Sequence, residues 1–394
     1  MKEKGSVFTG ARNRRSFLKT GMVAGAATIG TAILPASPVA FAGPENDHAP
    51  ITKGDIAILT FLSALEQVEA DLWIQYAELG GATNQGLSPI DLPFVGGLAP
   101  NYITALEVLD GDMPQYIADN TDDEISHHRF LNNYLALKGA KTIDLSEFAT
   151  LPPSQVTGVP QNGRLTNLKQ LTVDTTWWTR LRSDNANPDF GGTFENAVPD
   201  LAKGQHPAIP VNDGDLVLNP DGSVSNHLQA IANTAGFHFA FIEQGGSSLY
   251  PALAQKVSNL EVLRILLSIG GSEIAHFQTW HDKAGNATNI TDGNLTFPNL
   301  NSAVDPNTGA SGTSVADLFQ TNLIMPEPTL FLNEKLGPVS IIRPTSTQQG
   351  GAVASVKSFV DDGLFLDPAT NKNTGIVQVL FALAEKADAA RRTF

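Results

Sequence analysis

The chain has 394 residues, 25 Lys and Arg against 40 Asp and Glu, and no cysteine. The missing thiols exclude cysteine nucleophiles, Cys-ligated zinc, iron–sulfur clusters and disulfide scaffolds, and a formal charge of −15 argues against nucleic-acid binding, which needs clustered cations. A hydrophobic content of 42% supports a packed core, while 35 Gly and 24 Pro call for long irregular segments between the regular ones.

Residues 1–42 run against the overall charge, with six basic groups and the single acid Glu3. Arg14-Arg15-Ser16-Phe17-Leu18-Lys19 resembles the twin-arginine export pattern, Gly21 to Leu34 is uncharged and mildly apolar, and Ala40-Phe41-Ala42 offers small residues for cleavage before Gly43. The apolar run is short, interrupted by Gly and stopped by Pro35 and Pro38, whereas a membrane span needs about 20 strongly apolar residues. Residues 1–42 therefore read as a twin-arginine signal peptide, the destination as periplasmic or extracellular, and the processed protein as having no stable membrane span. Twin-arginine export carries folded proteins, often with a cofactor inserted, so a metal or organic cofactor is expected.

Four helical segments follow. Between Lys53 and Leu79, Ile56, Leu59, Leu62, Leu65, Glu66, Glu69, Trp73 and Tyr76 recur three or four apart, and Gly80-Gly81 ends the helix. A second segment over 101–138 is expected to break at Gly111 and Pro114 and to restart at Thr121, where Thr-Asp-Asp-Glu forms a capping box. The third runs from Ser225 to Val257, and the fourth from the N-cap Asn259 to Lys283. Residues 139–223, with Pro152-Pro153, Gly191-Gly192 and Asn219-Pro220-Asp221-Gly222, read as a long irregular crossover that packs on the bundle or carries function. Beyond Gly285, residues 286–322 are polar loop. Residues 323–366 hold short strands or apolar loop anchors, among them Phe359-Val360, and Thr374 to Arg392 is a last helix. The expected organisation is a signal peptide (1–42), an all-α four-helix bundle (43–285) with the 139–223 insertion, and a loop-rich extension (286–394) with a terminal helix.

Two of the helices carry the same unit, Glu124-Ile-Ser-His127 and Glu273-Ile-Ala-His276. Positions i and i+3 lie on one helix face, about 5–6 Å apart, so a carboxylate and an imidazole placed there can grip one metal ion. The other two helices each place one Glu in a matching context: Glu66 with Trp73 seven residues on, and Glu243 with Tyr250 seven residues on. The chain thus reads Glu, Glu-x-x-His, Glu, Glu-x-x-His, the ligand order of di-iron and di-manganese bundles. A third Glu-x-x-His, Glu45 to His48, lies among Pro and polar residues and is a coincidence of composition. Carboxylates in such apolar surroundings are costly unless compensated. Four carboxylates facing two divalent cations sum to zero, and hard oxygens with one imidazole per metal suit iron or manganese. Glu69 shares the face of Glu66 and is the rival ligand on the first helix. His128, His238 and His281 lie off the ligand face, and Trp177-Trp178 reads as packing onto the bundle. Neither a Ser/His/Asp order, nor a phosphate loop, nor a basic patch is present.

Residues 51–138 and 224–285 resemble the ferritin-like family that includes plant desiccation-related proteins and bacterial twin-arginine-exported ferritin-like proteins. The resemblance rests on Leu65-Glu66-Gln67-Val68-Glu69-Ala70, Asp123-Glu124-Ile125-Ser126-His127-His128, Ile242-Glu243 through Tyr250, and Ser272-Glu273-Ile274-Ala275-His276. It implies a ferritin-like four-helix bundle with Glu66, Glu124, His127, Glu243, Glu273 and His276 as ligands of two iron or manganese ions. Trp73 departs from the pattern, standing where an aromatic with a hydroxyl is commoner. The expected activity is redox chemistry on O₂ or peroxide in oxidative or desiccation stress, with the small molecule as partner and self-association left open. Two alternatives stand beside it: a non-enzymatic envelope scaffold, and a storage cage, whose compact shell the long insertions would obstruct.

Overall fold

Thr52 and Asp55 start the bundle by capping each other. In the computed structural model, which describes residues 50–83, 96–184, 186–300, 323–344 and 350–393, the Thr52 hydroxyl accepts from the Asp55 N–H at 3.0 Å and the Asp55 carboxylate accepts from the Thr52 N–H at 3.1 Å. Helix α1 (Lys53–Gly80) runs from this box. The other oxygen of Asp55 accepts from the Ser258 N–H at 2.8 Å, tying the start of α1 to a distant turn. The twin-arginine segment and the Glu45/His48 pair lie outside the described residues.

After α2 (Pro100–Glu107), helix α3 (Met113–Leu137) is continuous. The expected restart at Thr121 is not there: Pro114 sits in the first turn of α3, where its missing N–H costs nothing. The Thr121 hydroxyl instead bonds inward, to the carbonyls of Ile117 at 2.7 Å and Trp73 at 3.2 Å. Helix α5 (Asn226–Ala254) is capped by Ser225, and α6 (Leu260–Ala284) by Asn259, which accepts from the N–H groups of Glu261 and Val262. The short α4 (Thr176–Arg182) lies in the crossover. Helices α1 and α3 form one packed pair and α5 and α6 the other.

The crossover is pinned by side chains of the bundle. One oxygen of Asp71 accepts from the N–H groups of Leu165 and Thr166 and from the Thr166 hydroxyl, at 3.1, 3.0 and 2.6 Å. Arg164 pairs with Glu78 at 2.6 Å. Trp177 packs against Phe237 and Phe277, with ring centroids 5.9 Å away in each case, and the Arg182 guanidinium lies 3.4 Å over the Trp178 ring. The paired tryptophans thus serve packing, as their sequence context suggests.

The C-terminal part holds more order than its composition suggests. A hairpin of β1 (Ile290–Asp292) and β2 (Leu295–Phe297) turns at Gly293, whose φ of 58° suits a residue without Cβ. Helix α7 (Ala352–Asp362) occupies the stretch expected to form strands or loop anchors, so Phe359 faces the core from a helix. A small ribbon of β3 (Leu366–Asp367) and β4 (Lys372–Asn373) leads to α8 (Ile376–Ala389), which packs on α1 and α7. Asp388 of α8 caps α7 by accepting from the Ala352 and Val353 N–H groups and pairs with Lys256 at 2.6 Å. Among the described residues no helix is long and apolar enough to cross a membrane.

Asp55 makes two kinds of contact and Thr52 only one, which gives a stability test. Thr52→Ala should cost about 1 kcal/mol, the usual worth of a cap. Asp55→Ala should cost about 1 kcal/mol more, because the Ser258 N–H also loses its partner. Urea unfolding midpoints check this, and equal losses for the two variants would remove the Asp55 to Ser258 tie from the account.

Candidate metal centre

Each of the four long helices delivers one or two site residues to a common point between them. Glu66 comes from α1, Glu124 and His127 from α3, Glu243 from α5, and Glu273 and His276 from α6. Glu124, Glu243 and Glu273 are fully buried and Glu66 nearly so. The ligand atoms fall into two groups, each within 4.8 Å: Glu66, Glu124, His127 and Glu273 in one, and Glu124, Glu243, Glu273 and His276 in the other. Glu124 and Glu273 belong to both. All six residues picked from the sequence are therefore brought together. Glu69, the rival to Glu66, is buried but belongs to neither group.

The imidazoles are oriented from outside. His127 Nδ1 faces inward, 3.1 Å from Glu124 and 3.3 Å from both Glu66 and Glu273. Its Nε2 lies 3.2 Å from the Ser272 hydroxyl, which spends its own hydrogen on the Ile269 carbonyl at 2.7 Å. Nε2–H is therefore the donor, and Nδ1 keeps a lone pair for a metal. His276 repeats the arrangement: Nδ1 lies 3.1 Å from Glu124 and 3.2 Å from Glu243, and Nε2–H donates to Asp123 at 3.0 Å. The residue just before each Glu-x-x-His thus holds the histidine of the other unit.

A second crossing fixes the two single glutamates. Trp73, seven residues after Glu66, donates its indole N–H to Glu243 at 3.0 Å. Tyr250, seven residues after Glu243, donates its hydroxyl in a short bond to Glu66. At the position where an aromatic with a hydroxyl is commoner, the Trp73 indole N–H supplies the donor. Asn120 completes the shell by donating to Glu124 and Glu243, both at 3.0 Å, while its carbonyl accepts from Trp280 at 2.7 Å. Sequence reasoning missed Asn120, Asp123, Ser272 and Trp280 as members of the site. Asp123 and Ser272 carried a usable signal in their shared position before each unit, and Asn120 carried none.

The donor set fits a pair of divalent cations. Glu273 Oε2 is buried without any partner, and Glu66 Oε2 and Glu273 Oε1 share only the single His127 Nδ1 at 3.3 Å, a costly condition for carboxylates unless a cation satisfies them. In the metal-free protein protons substitute for that charge. Burial pushes the Glu66 carboxyl up to about 7 and that of Glu243 up to about 8. Burial and Glu273 press Glu124 upward too, but the imidazoles more than offset them and it ends below its ordinary value. Burial presses both histidines down, yet the carboxylates win and raise each well above an ordinary imidazole. Burial, reinforced by Glu66 and Glu273, holds the Glu69 carboxyl well above its ordinary range.

Among the described residues, openings lie beside His127 on one side and His276 on the other. An apolar groove of about 670 Å³ between α3 and α6, lined by Phe130, Tyr134, Ile265 and Ile269, ends at His127 and Ser272. A polar cleft of about 110 Å³ beside Asp119 and Asp123 ends at His276. On the buried side, the backbone of α5 comes so close that a Cβ on Gly246 would stand 2.3 Å from a Glu273 oxygen.

Two outcomes follow. Binding a metal must expel protons held above their ordinary pKa, so affinity for Mn²⁺ or Co²⁺ should rise with pH, about tenfold per proton expelled per pH unit, between pH 6 and 8. Calorimetric titration at both values checks it, and equal affinities would contradict the protonated metal-free state. Gly246→Ala should displace Glu273 and cut metal occupancy while the fold, read by circular dichroism, is kept. Unchanged occupancy would show that the carboxylate can move aside.

A family model described as the ferritin-like domain matches residues 54–286, more than half of the chain and the whole span from α1 to the end of α6. No curated protein and no solved structure matches the chain. With the all-α core in place and its buried Glu/His groups fit for a di-metal site, the chain belongs to the ferritin-like domain family.

Proposed function

We propose that this is an exported di-metal oxidoreductase, with iron or manganese in the centre and O₂ or peroxide as substrate, serving protection under oxidative or desiccation stress. One observation carries the reading: two Glu/His groups share Glu124 and Glu273, and the carboxylate oxygens in them have no partner beyond the two imidazoles and the donors at their outer edge, Glu273 Oε2 having none. Glu66 and His127 would hold one ion, Glu243 and His276 the other, and Glu124 and Glu273 would serve both. A pair of such ions supplies two-electron redox chemistry, which is what O₂ and peroxide require.

The chain's own residues do the rest. Trp73, Asn120 and Tyr250 hold the carboxylates by their outer oxygens, so little reorganisation is needed when charge changes at the centre. Ser272 and Asp123 keep both histidines in the tautomer that presents Nδ1. The groove at His127 gives a small apolar molecule such as O₂ a path inward, and the acidic cleft at His276 suits cations and water. The Arg14-Arg15 motif with the Ala40-Phe41-Ala42 site supports export in the folded state.

Metal analysis of the mature protein, taken from its own export route, should find about two ions per chain. Glu273→Ala with His276→Ala should remove them and end peroxide consumption. A folded protein with no bound iron or manganese, whose stability ignores those substitutions, would instead favour the scaffold reading. Arg14→Lys with Arg15→Lys should leave precursor in the cytoplasm, and unchanged export would refute the twin-arginine assignment.

A further inference from the structure

A second polar chain crosses the core away from the six candidate ligands. Tyr76 on α1 donates its hydroxyl to His238 Nδ1 on α5 at 2.7 Å, and His238 Nε2 lies 3.0 Å from the Asp362 carboxylate at the end of α7. All three are closed to solvent, none more than 1% exposed. The order of partners places the hydrogens. A carboxylate only accepts, so Nε2 carries the hydrogen, and Nδ1 presents a lone pair to the phenol. Burial holds the Tyr76 hydroxyl well above its ordinary pKa, so the phenol stays neutral.

An aromatic path leads from that phenol to the metal centre. Phe239 meets the Tyr76 ring edge-on with centroids 4.5 Å apart, and Trp73 lies 5.8 Å from it. Trp73 stacks on Phe239 at 4.8 Å and on Trp280 at 5.2 Å, and its indole N–H is bonded to Glu243. All four rings are in the buried core. Packing alone needs no such arrangement: a phenylalanine and an aliphatic residue would fill the space of Tyr76 and His238 without burying an acid at Asp362.

We propose that Tyr76 is a redox-active tyrosine, which gives one electron toward the metal centre through Trp73 while its hydroxyl proton passes to His238. The proposal rests on the centre holding redox-active metal. The step balances. The O–H bond of Tyr76 breaks and an N–H bond forms at His238 Nδ1, giving an imidazolium paired with Asp362. Tyr76 becomes a neutral phenoxyl radical, and its electron reduces by one equivalent a metal pair that peroxide or O₂ has oxidised. The phenol is uncharged before and after, so the apolar pocket meets no new charge there, and the charge that does arise sits beside a carboxylate. Tyr250 is nearer the centre, but its hydroxyl donates to the carboxylate of the candidate ligand Glu66, whereas that of Tyr76 donates to an imidazole.

The test uses the full mature chain loaded with iron, mixed with peroxide and frozen, with metal content measured on each sample. Electron paramagnetic resonance should show an organic radical whose hyperfine pattern narrows when the protein is grown on ring-deuterated tyrosine. The signal should be lost in Tyr76→Phe, kept in Tyr102→Phe, whose buried hydroxyl donates to the Ala208 carbonyl away from the site, and shorter-lived in His238→Gln. Bound iron that peroxide oxidises without a radical, or a radical that survives Tyr76→Phe, overturns the proposal and leaves the di-metal reading intact. Failure of the wild-type chain to bind iron or manganese overturns both.

Discussion

Five carboxyl groups, Glu66, Glu69, Glu124, Glu243 and Glu273, share one dry interior, none more than 3% exposed. Water cannot screen them there, and the two groups are built from carboxylates and imidazoles. Their mutual repulsion has to be met by cations or by protons. The rest of the bundle answers that demand: two imidazoles placed among the acids, an amide and an indole aimed at outer oxygens, a phenol on Glu66, and one carboxyl, Glu69, held above its ordinary range by burial. The helices supply the frame, but the charge dictates what must decorate it.

The two halves of the centre are alike in ligands and unlike in setting. His127 leans on a neutral hydroxyl at the end of an apolar groove, while His276 leans on the exposed Asp123 beside a polar cleft. A carboxylate partner makes an imidazole the stronger donor. Chemistry that needs one position to hold its ion and the other to admit a small molecule has its difference built in at Asp123 and Ser272. Both residues occupy the same place in the repeated unit.

The sequence made the bundle and its six inward residues legible because helical spacing converts directly into a shared face. Glu124 with His127 and Glu273 with His276 are local facts, as are the caps at Ser225 and Asn259. What spacing cannot express is partnership across distance. Asp362 meets His238 from 124 residues away, and Asn120 reaches Glu243 from 123 away. Local rules also misled where two signals competed. Thr121 heads a good capping box, yet Pro114 in a first turn lets α3 begin earlier, and the hydroxyl finds the Trp73 carbonyl instead. Helix α7 escaped because it starts after Gly350-Gly351 in a stretch with three Val and Phe359, and it owes part of its order to Asp388, a cap supplied by another helix.

The crossed bonds from Trp73 to Glu243 and from Tyr250 to Glu66 carry a consequence for how such a chain can change over generations. Each helix pair carries one single Glu and one Glu-x-x-His unit, yet each pair is finished by the other. A substitution at Trp73 is paid in the far pair, where Glu243 loses its donor, and one at Tyr250 is felt at Glu66. A change of residue type at either aromatic position therefore calls for a compensating change in the other pair.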